Sequence, residues 1–252
     1  MDNTKLGLLT TLLLGIFIII GALIAFLIKR KERVVDFSLG LAFSIIIMLI
    51  VTDLLPEVIE HLGLKHIYLF LIFGIIGYGI LKLLDHFIPD HDDDGHMDTA
   101  REKKENLVHI GVITSLALVL HNIIEGMAVY STVITDKTLG LAITIGIGFH
   151  NIPLGMVVAG TFYQSKENLS KTILSVLAVS LSTFVGGLIL FFLDITTISS
   201  TILGILLSIT LGMLIFISLS ELLPRIRATK NKKAAITGII IGVIIQSIAF
   251  FV

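Results

Sequence analysis

The sequence predicts an all-α membrane protein of eight transmembrane helices with both termini outside, and three observations carry this prediction. Hydrophobic residues make up 55% of the 252 residues and charged residues only 15%, whereas soluble domains are roughly 25% charged. The apolar residues fall in blocks close to the length of about 20 residues that a helix needs to cross a bilayer. The basic residues lie mostly in alternate loops, as the positive-inside rule requires.

Eight apolar stretches make up the predicted spans. They cover approximately residues 6–28, 36–59, 67–88, 107–130, 139–163, 170–194, 200–224 and 234–252. The first stretch is longer than the core of a signal peptide, has no small-residue cleavage pattern and precedes its basic cluster. We therefore expect it to remain as a membrane helix.

The loops between the spans divide into a basic set and a set with few basic residues. The basic set lies within residues 29–33, 101–104, 166–171 and 225–233, and the other holds only Lys5, Lys65 and Lys137. Because short loops rich in Lys and Arg stay in the cytoplasm, both termini are predicted outside. We expect a single transmembrane domain over residues 1–252, surrounded by lipid in the cytoplasmic membrane.

Composition also excludes several classes of protein. The net charge is −1 and no basic patch lies outside the loops, which argues against a nucleic-acid-binding protein. The chain has no cysteine, so it has no disulfide framework, thiolate metal site or cysteine nucleophile.

A four-residue pattern recurs in the second and seventh spans. Asp53 begins the pattern acid-Leu-Leu-Pro near the end of the second span, and Glu221 begins it again near the end of the seventh. The second span is predicted to run outward and the seventh inward, so the two copies lie at opposite faces of the membrane. This placement predicts the inverted repeat that is typical of transporters.

The fourth and fifth spans carry the polar residues that point to function. The fourth contains His121, Asn122 and Glu125, and the fifth contains His150 and Asn151, all near the middle of their spans. His121 and Glu125 are four residues apart and share one helix face. Imidazole nitrogen and carboxylate oxygen suit a divalent cation such as zinc, and His150 can supply a third ligand. The alternative is that these side chains only hydrogen-bond helix to helix.

The predicted cytoplasmic loop between the third and fourth spans, residues 86–105, is rich in Asp and His. Its candidate metal-binding residues are His86, Asp90, His91, Asp92, Asp94 and His96. The acids match the first half of an EF-hand calcium loop, but Arg101 occupies the twelfth position, where the loop needs a carboxylate. Two interpretations stay open, a loose site that receives or senses metal and a merely solvated acidic loop.

Other acids lie toward the predicted ends of the spans. Asp53 and Glu57 are one helical turn apart near the outer face and could form an entrance that concentrates cations. Glu221 could serve at the inner face, or each of these acids could simply meet interfacial water. We expect Lys82 and His109, near the inner boundary, to extend toward the interface.

The paired motifs resemble those of the ZIP (Zrt-/Irt-like) divalent metal transporters, particularly the prokaryotic branch. His-Asn-x-x-Glu-Gly begins at His121, and His-Asn-Ile-Pro-x-Gly begins at His150. The resemblance covers essentially the whole chain and implies a homodimeric carrier, not an enzyme. It implies His121, Asn122, Glu125, His150 and Asn151 as metal-site residues, and zinc (Zn2+), iron, manganese or a similar ion as the substrate.

The chain departs from the family pattern at two places. Leu154 replaces the usual bridging glutamate of the fifth helix, and Thr183 stands roughly where related members have a further acid. Glu125 is then the only carboxylate predicted at the midplane, so two divalent cations would leave three uncompensated positive charges. We predict a single-metal site of His121, Glu125 and His150, with water or an Asn oxygen as the fourth ligand.

The sequence thus predicts transport of a divalent transition metal toward the cytosol, with zinc, iron, manganese, cobalt and cadmium as candidates. Leu154 suggests one alternative, a transport-inactive metal-sensing subunit. An intramembrane zinc hydrolase is the other, because two histidines and a glutamate also describe a catalytic zinc site. A hydrolase also needs an acid or base within reach of the metal-bound water, and the sequence offers none, since Glu125 is already a ligand.

Overall fold

The computed structural model describes residues 2–27, 32–87, 100–164 and 169–251, and the regular elements within these ranges are helices. In chain order they correspond to the eight predicted spans, and we keep the word span for each. Six spans are single helices: Asn3–Phe26 (first), Ile67–Phe87 (third), Ala100–Thr135 (fourth), Lys137–Gln164 (fifth), Leu169–Phe192 (sixth) and Lys232–Phe251 (eighth). The second span joins Glu32–Leu49, Ile50–Leu54 and Leu55–Leu62, and the seventh joins Ser200–Phe216, Ile217–Leu222 and Leu223–Ala228.

The first seven spans are long and apolar enough to cross a membrane, as judged over the described residues. The eighth is a helix of 20 residues that packs along the second. The predicted all-α fold of eight helices is therefore confirmed, and the chain is a multi-pass membrane protein. Some helices extend beyond the predicted apolar stretches, because polar residues continue the helix; the fourth begins at Ala100.

A π-helical turn precedes the proline of each acid-Leu-Leu-Pro pattern. Proline has no N–H, and its ring crowds the carbonyl of the residue four positions earlier. The wider turn accommodates Pro56, because the N–H of Leu55 bonds to the carbonyl of Ile50, five residues back. The seventh span repeats this geometry before Pro224. Asp53 and Glu221 thus occupy equivalent positions, each inside a π-helical turn.

The eight spans pack as two groups of four. The first, fourth, fifth and sixth spans contact one another extensively and form what we call the carrier group. The second, third, seventh and eighth spans form the frame group, in which the second packs on the eighth and the third on the seventh. The predicted ligands of the fourth and fifth spans therefore belong to the carrier group, whereas Asp53 and Glu221 belong to the frame group.

Packing within the carrier group has the symmetry that the predicted inverted repeat requires. Gly155 of the fifth span lies against the carbonyl of Ile18 in the first, and Gly126 of the fourth lies against the carbonyl of Thr183 in the sixth. The first and sixth spans run antiparallel, since the close pairs are Gly15 with Ser180 and Thr11 with Gly187. The fourth span thus packs on the sixth as the fifth packs on the first, which is the arrangement expected if an inverted repeat relates the fourth span to the fifth.

Candidate metal centre

Three side chains with metal-ligating atoms converge between the fourth and fifth spans. Each of the three residues offers one ligating atom, and these atoms of His121, Glu125 and His150 all lie within 4.8 Å of one another. His121 and Glu125 are 3% and 6% exposed, and the two imidazole rings have centroids 6.5 Å apart. Two imidazoles and one carboxylate in a buried site form a donor set that suits zinc and similar divalent ions.

Glu125 is the centre of this cluster. Its Oε1 lies 2.9 Å from Nε2 of His150 and 3.7 Å from Nε2 of His121. Its Oε2 accepts a hydrogen bond of 3.3 Å from Nδ2 of Asn151. Both carboxylate oxygens are therefore held in place by the fifth span, while His121 approaches from one turn earlier on the fourth span.

Several buried polar atoms in the cluster have no hydrogen-bond partner among the residues that the structure describes. They are both ring nitrogens of His121 and the Oδ1 atoms of Asn122 and Asn151. Buried polar atoms are nearly always paired in folded proteins, so such a concentration calls for a reason. All of these atoms except a protonated ring nitrogen are electron-pair donors, and a bound cation would give them the missing partner.

The two asparagines have different surroundings. Asn122 donates from Nδ2 to the carbonyl of Val179 in the sixth span at 3.0 Å, whereas Asn151 donates to the carboxylate of Glu125. Leu154 follows His150 by one helical turn and is fully buried at 0% exposure. The position at which the family resemblance implies a glutamate is thus apolar and enclosed.

Asp53 lies beside the cluster. Its Oδ2 is 3.8 Å from Nδ1 of His150. The prediction that Glu125 is the only carboxylate at the midplane is therefore wrong. Counting residues placed Asp53 near the end of the second span, but the second span packs against the fifth and the π-helical turn brings Asp53 to the level of His150. Glu57, one turn further on, is exposed.

A second group of polar side chains joins the third, fourth and seventh spans. Nε2 of His109 lies 2.6 Å from Oδ1 of Asp85 and 3.9 Å from Oε2 of Glu221. Arg225 also donates to Glu221, at 3.3 Å. His109 is 3% exposed, so the expectation that it extends toward the interface is wrong. Asp85 and His109 were not predicted from the sequence to be partners. The pair could have been found from the sequence, because an acid and a histidine stand at the predicted inner ends of two adjacent spans.

The predicted loop site is only partly within the described residues. His86 lies in the last turn of the third span and is exposed. The other candidate loop residues, Asp90, His91, Asp92, Asp94 and His96, lie outside the described residues. Their role as a metal-receiving site stays a prediction.

One protein family matches this chain in comparisons with known proteins. The family model described as ZIP zinc transporter matches residues 86–249, which is more than half of the chain. Three bacterial relatives, each named zinc transporter ZupT, are similar over nearly their full length. The protein of Clostridium perfringens is 28% identical, with 99% of this chain and 96% of that protein aligned. The protein of Akkermansia muciniphila is 28% identical (98% and 97% aligned), and that of Escherichia coli is 26% identical (93% and 92%).

Proposed function

The chain belongs to the ZIP zinc transporter family, and from this premise we propose that it carries divalent transition-metal ions, zinc foremost, across the cytoplasmic membrane toward the cytosol. The observation that carries this proposal is the convergence of ligand atoms of His121, Glu125 and His150 within 4.8 Å. The name of the relatives favours zinc. Iron, manganese, cobalt and cadmium accept the same ligands and are secondary candidates.

We propose that one ion occupies the site at a time. His121, Glu125 and His150 supply three ligands, and water or the Oδ1 of Asn122 or Asn151 supplies the fourth. Leu154 offers no donor atom where a second ion would need one. The chain would accordingly be a member of the prokaryotic branch in which the site is reduced to a single metal.

The proposed path runs through the two acids of the frame group. Metal enters from outside past Glu57 and Asp53, binds at the midplane site that Asp53 borders, and leaves past Glu221 and the Asp/His loop that follows His86. The carrier group moves against the frame group, so that the site opens alternately to each side. The separation of ligands from pathway acids into two packed groups supports this movement.

We also propose that residues 1–252 form one transporter domain and that the protein works as a homodimer, as the family resemblance implies. The third span supports an interface on the frame group, because only 11% of its apolar segment is buried within one chain, compared with 44–67% for the other six apolar spans. Light scattering in detergent is expected to give a protein mass near twice the 27.4 kDa of one chain. A mass near that of one chain would contradict the dimer.

Metal entry into metal-free proteoliposomes tests the proposed site. Glu125→Ala is expected to abolish zinc and manganese entry, since Glu125 contacts both histidines. Asp194→Asn is the matched control, because it removes a carboxylate from an exposed loop residue. Asn accepts the φ of 55° at that position. Leu154→Glu, measured alongside, shows whether a second ion can bind and how it alters the rate.

The outcomes separate the proposed function from its alternative. Equal zinc entry in wild type and Glu125→Ala would contradict the midplane site. A folded protein that binds zinc but conducts none in any variant would instead favour a metal-sensing subunit.

A further inference from the structure

The eighth span carries a buried glutamine that the metal ligands do not explain. Gln246 is 0% exposed, although it lies among apolar residues in the helix Lys232–Phe251. Its Nε2 donates a hydrogen bond of 3.3 Å to Oδ2 of Asp53. A buried amide within a membrane helix costs free energy unless it is hydrogen-bonded, and polar residues at this depth usually serve a function.

The carboxylate that Gln246 contacts also faces the transport site. Oδ2 of Asp53 lies 3.8 Å from Nδ1 of His150, and Nε2 of the same ring lies 2.9 Å from Oε1 of Glu125. The imidazole is therefore placed between two carboxylates. A histidine that binds metal through one ring nitrogen usually directs the N–H of the other at a carboxylate or carbonyl, which fixes the ring and raises its basicity. Asp53 is on the Nδ1 side, within ion-pair distance but farther than a direct hydrogen bond, which leaves Nε2 for the metal.

The orientation of the glutamine amide agrees with this arrangement. A carboxylate only accepts hydrogen bonds, so the NH2 group of Gln246 must face Asp53 and the amide oxygen must point away. The amide oxygen is buried and has no partner within the described part of the chain, which is a cost that the Asp53 contact offsets. Gln246 thus holds one oxygen of Asp53 at a fixed place beside His150.

We propose that Gln246 and Asp53 are positioning residues of the transport site: Gln246 holds the Asp53 carboxylate, and Asp53 orients His150 through Nδ1 and supplies the negative charge that Leu154 cannot. This inference rests on the proposed function of the midplane site. With Glu125 and Asp53 both ionised, a single divalent cation is neutralised in the membrane interior. With Glu125 alone, one positive charge would stay uncompensated at a large desolvation cost.

Zinc uptake kinetics in proteoliposomes test the positioning role through a double-mutant cycle. Asp53→Asn is expected to raise the KM for zinc by roughly 10- to 100-fold, the usual effect of losing a partner of a metal ligand. Gln246→Leu is expected to raise KM in the same direction by a smaller factor. The double variant should be no worse than Asp53→Asn alone, because Gln246 acts through Asp53. Ser247→Ala, on the same helix, is the control and should keep the KM of the wild type.

A rescue experiment distinguishes positioning from a merely structural role. Leu154→Glu in the Asp53→Asn background places a carboxylate one turn from His150 and is expected to recover most of the lost affinity. Damaged packing would lower the thermal stability of Asp53→Asn, and a new carboxylate would not repair it. If Gln246→Leu does not fold, Gln246→Asn takes its place, since the shorter amide withdraws from Asp53 but stays polar; the same rise in KM is expected.

An unchanged KM in Asp53→Asn, additive effects of the two single variants, or no rescue by Leu154→Glu would overturn the positioning role. Each of these results leaves the proposed function standing as long as Glu125→Ala still abolishes zinc entry. If Glu125→Ala conducts like the wild type, the proposed function itself fails.

Discussion

Glu125 organises the candidate site at the scale of single residues. Its two oxygens have separate partners, with His150 on Oε1 and Asn151 on Oε2. A carboxylate held at both oxygens keeps one orientation, and a ligand that does not need to reorganise binds an ion with less loss of entropy. The fifth span thus supplies one ligand and also orients the ligand of its neighbour.

The contact with Asn151 leads to a prediction at this scale. Asn151→Leu keeps the branched shape and the number of non-hydrogen atoms of the side chain but removes the donor to Glu125, and zinc uptake is expected to show a KM roughly 10-fold higher. Thr144→Val is the control on the same span, because among the described residues that hydroxyl bonds to the carbonyl of Gly140 in its own helix and to no other group. A KM in Asn151→Leu equal to that of the control would show that Glu125 is oriented without Asn151.

Close helix packing determines where the ligands lie at the scale of the elements. Gly126 and Gly155 each follow a motif histidine by five residues, and each lies directly against a backbone carbonyl of a neighbouring span. No other residue type permits this approach, because a Cβ at either position would collide with the carbonyl. The glycine of each motif therefore sets how closely its helix packs against the neighbouring span of the carrier group.

Gly155→Ala is expected to destabilise the protein by roughly 1–3 kcal/mol, the usual cost of overpacking a close helix contact. Gly146→Ala lies on the same span, where an added Cβ meets nothing within 4 Å. It should be neutral or slightly stabilising, because alanine favours a helix over glycine by up to about 1 kcal/mol. Thermal unfolding in detergent measures both; a melting temperature lowered equally in the two variants would contradict the packing argument.

The arrangement of the whole molecule places polar contacts across the boundary of its two groups of spans. His150 of the carrier group meets Asp53 of the frame group. His109 of the carrier group meets Asp85 and Glu221 of the frame group. Both contacts join a histidine to acids, and both must change if the groups move against each other. The proposed alternating access thus requires specific polar contacts to break.

The orientation of the molecule in the membrane is a prediction that single cysteines test directly, because the chain has none of its own. Lys65 and Lys230 are exposed residues of loops predicted to face outside and inside, respectively. A membrane-impermeant maleimide is expected to label Lys65→Cys on intact cells and Lys230→Cys only after permeabilisation. The unmodified protein should take no label, and the reverse pattern would invert the predicted topology.

The sequence by itself determined the helices and the position of both histidine motifs along them. Hydropathy and helical spacing are local properties, so eight apolar stretches and the four-residue step from His121 to Glu125 are readable without a structure. The loss of the family glutamate at Leu154 was equally visible, because the motif around it is contiguous.

Only the tertiary structure decided which residues from different helices meet at the site. Asp53 and Gln246 are separated by 193 positions in the chain, and no local pattern connects them. The contact between them, and that of Asp53 with His150, follow from how the second, fifth and eighth spans pack and from the π-helical turn that contains Asp53. Helix packing depends on side chains distant in sequence, so counting along a single span placed Asp53 near the end of that span, away from His150, and left Gln246 unnoticed.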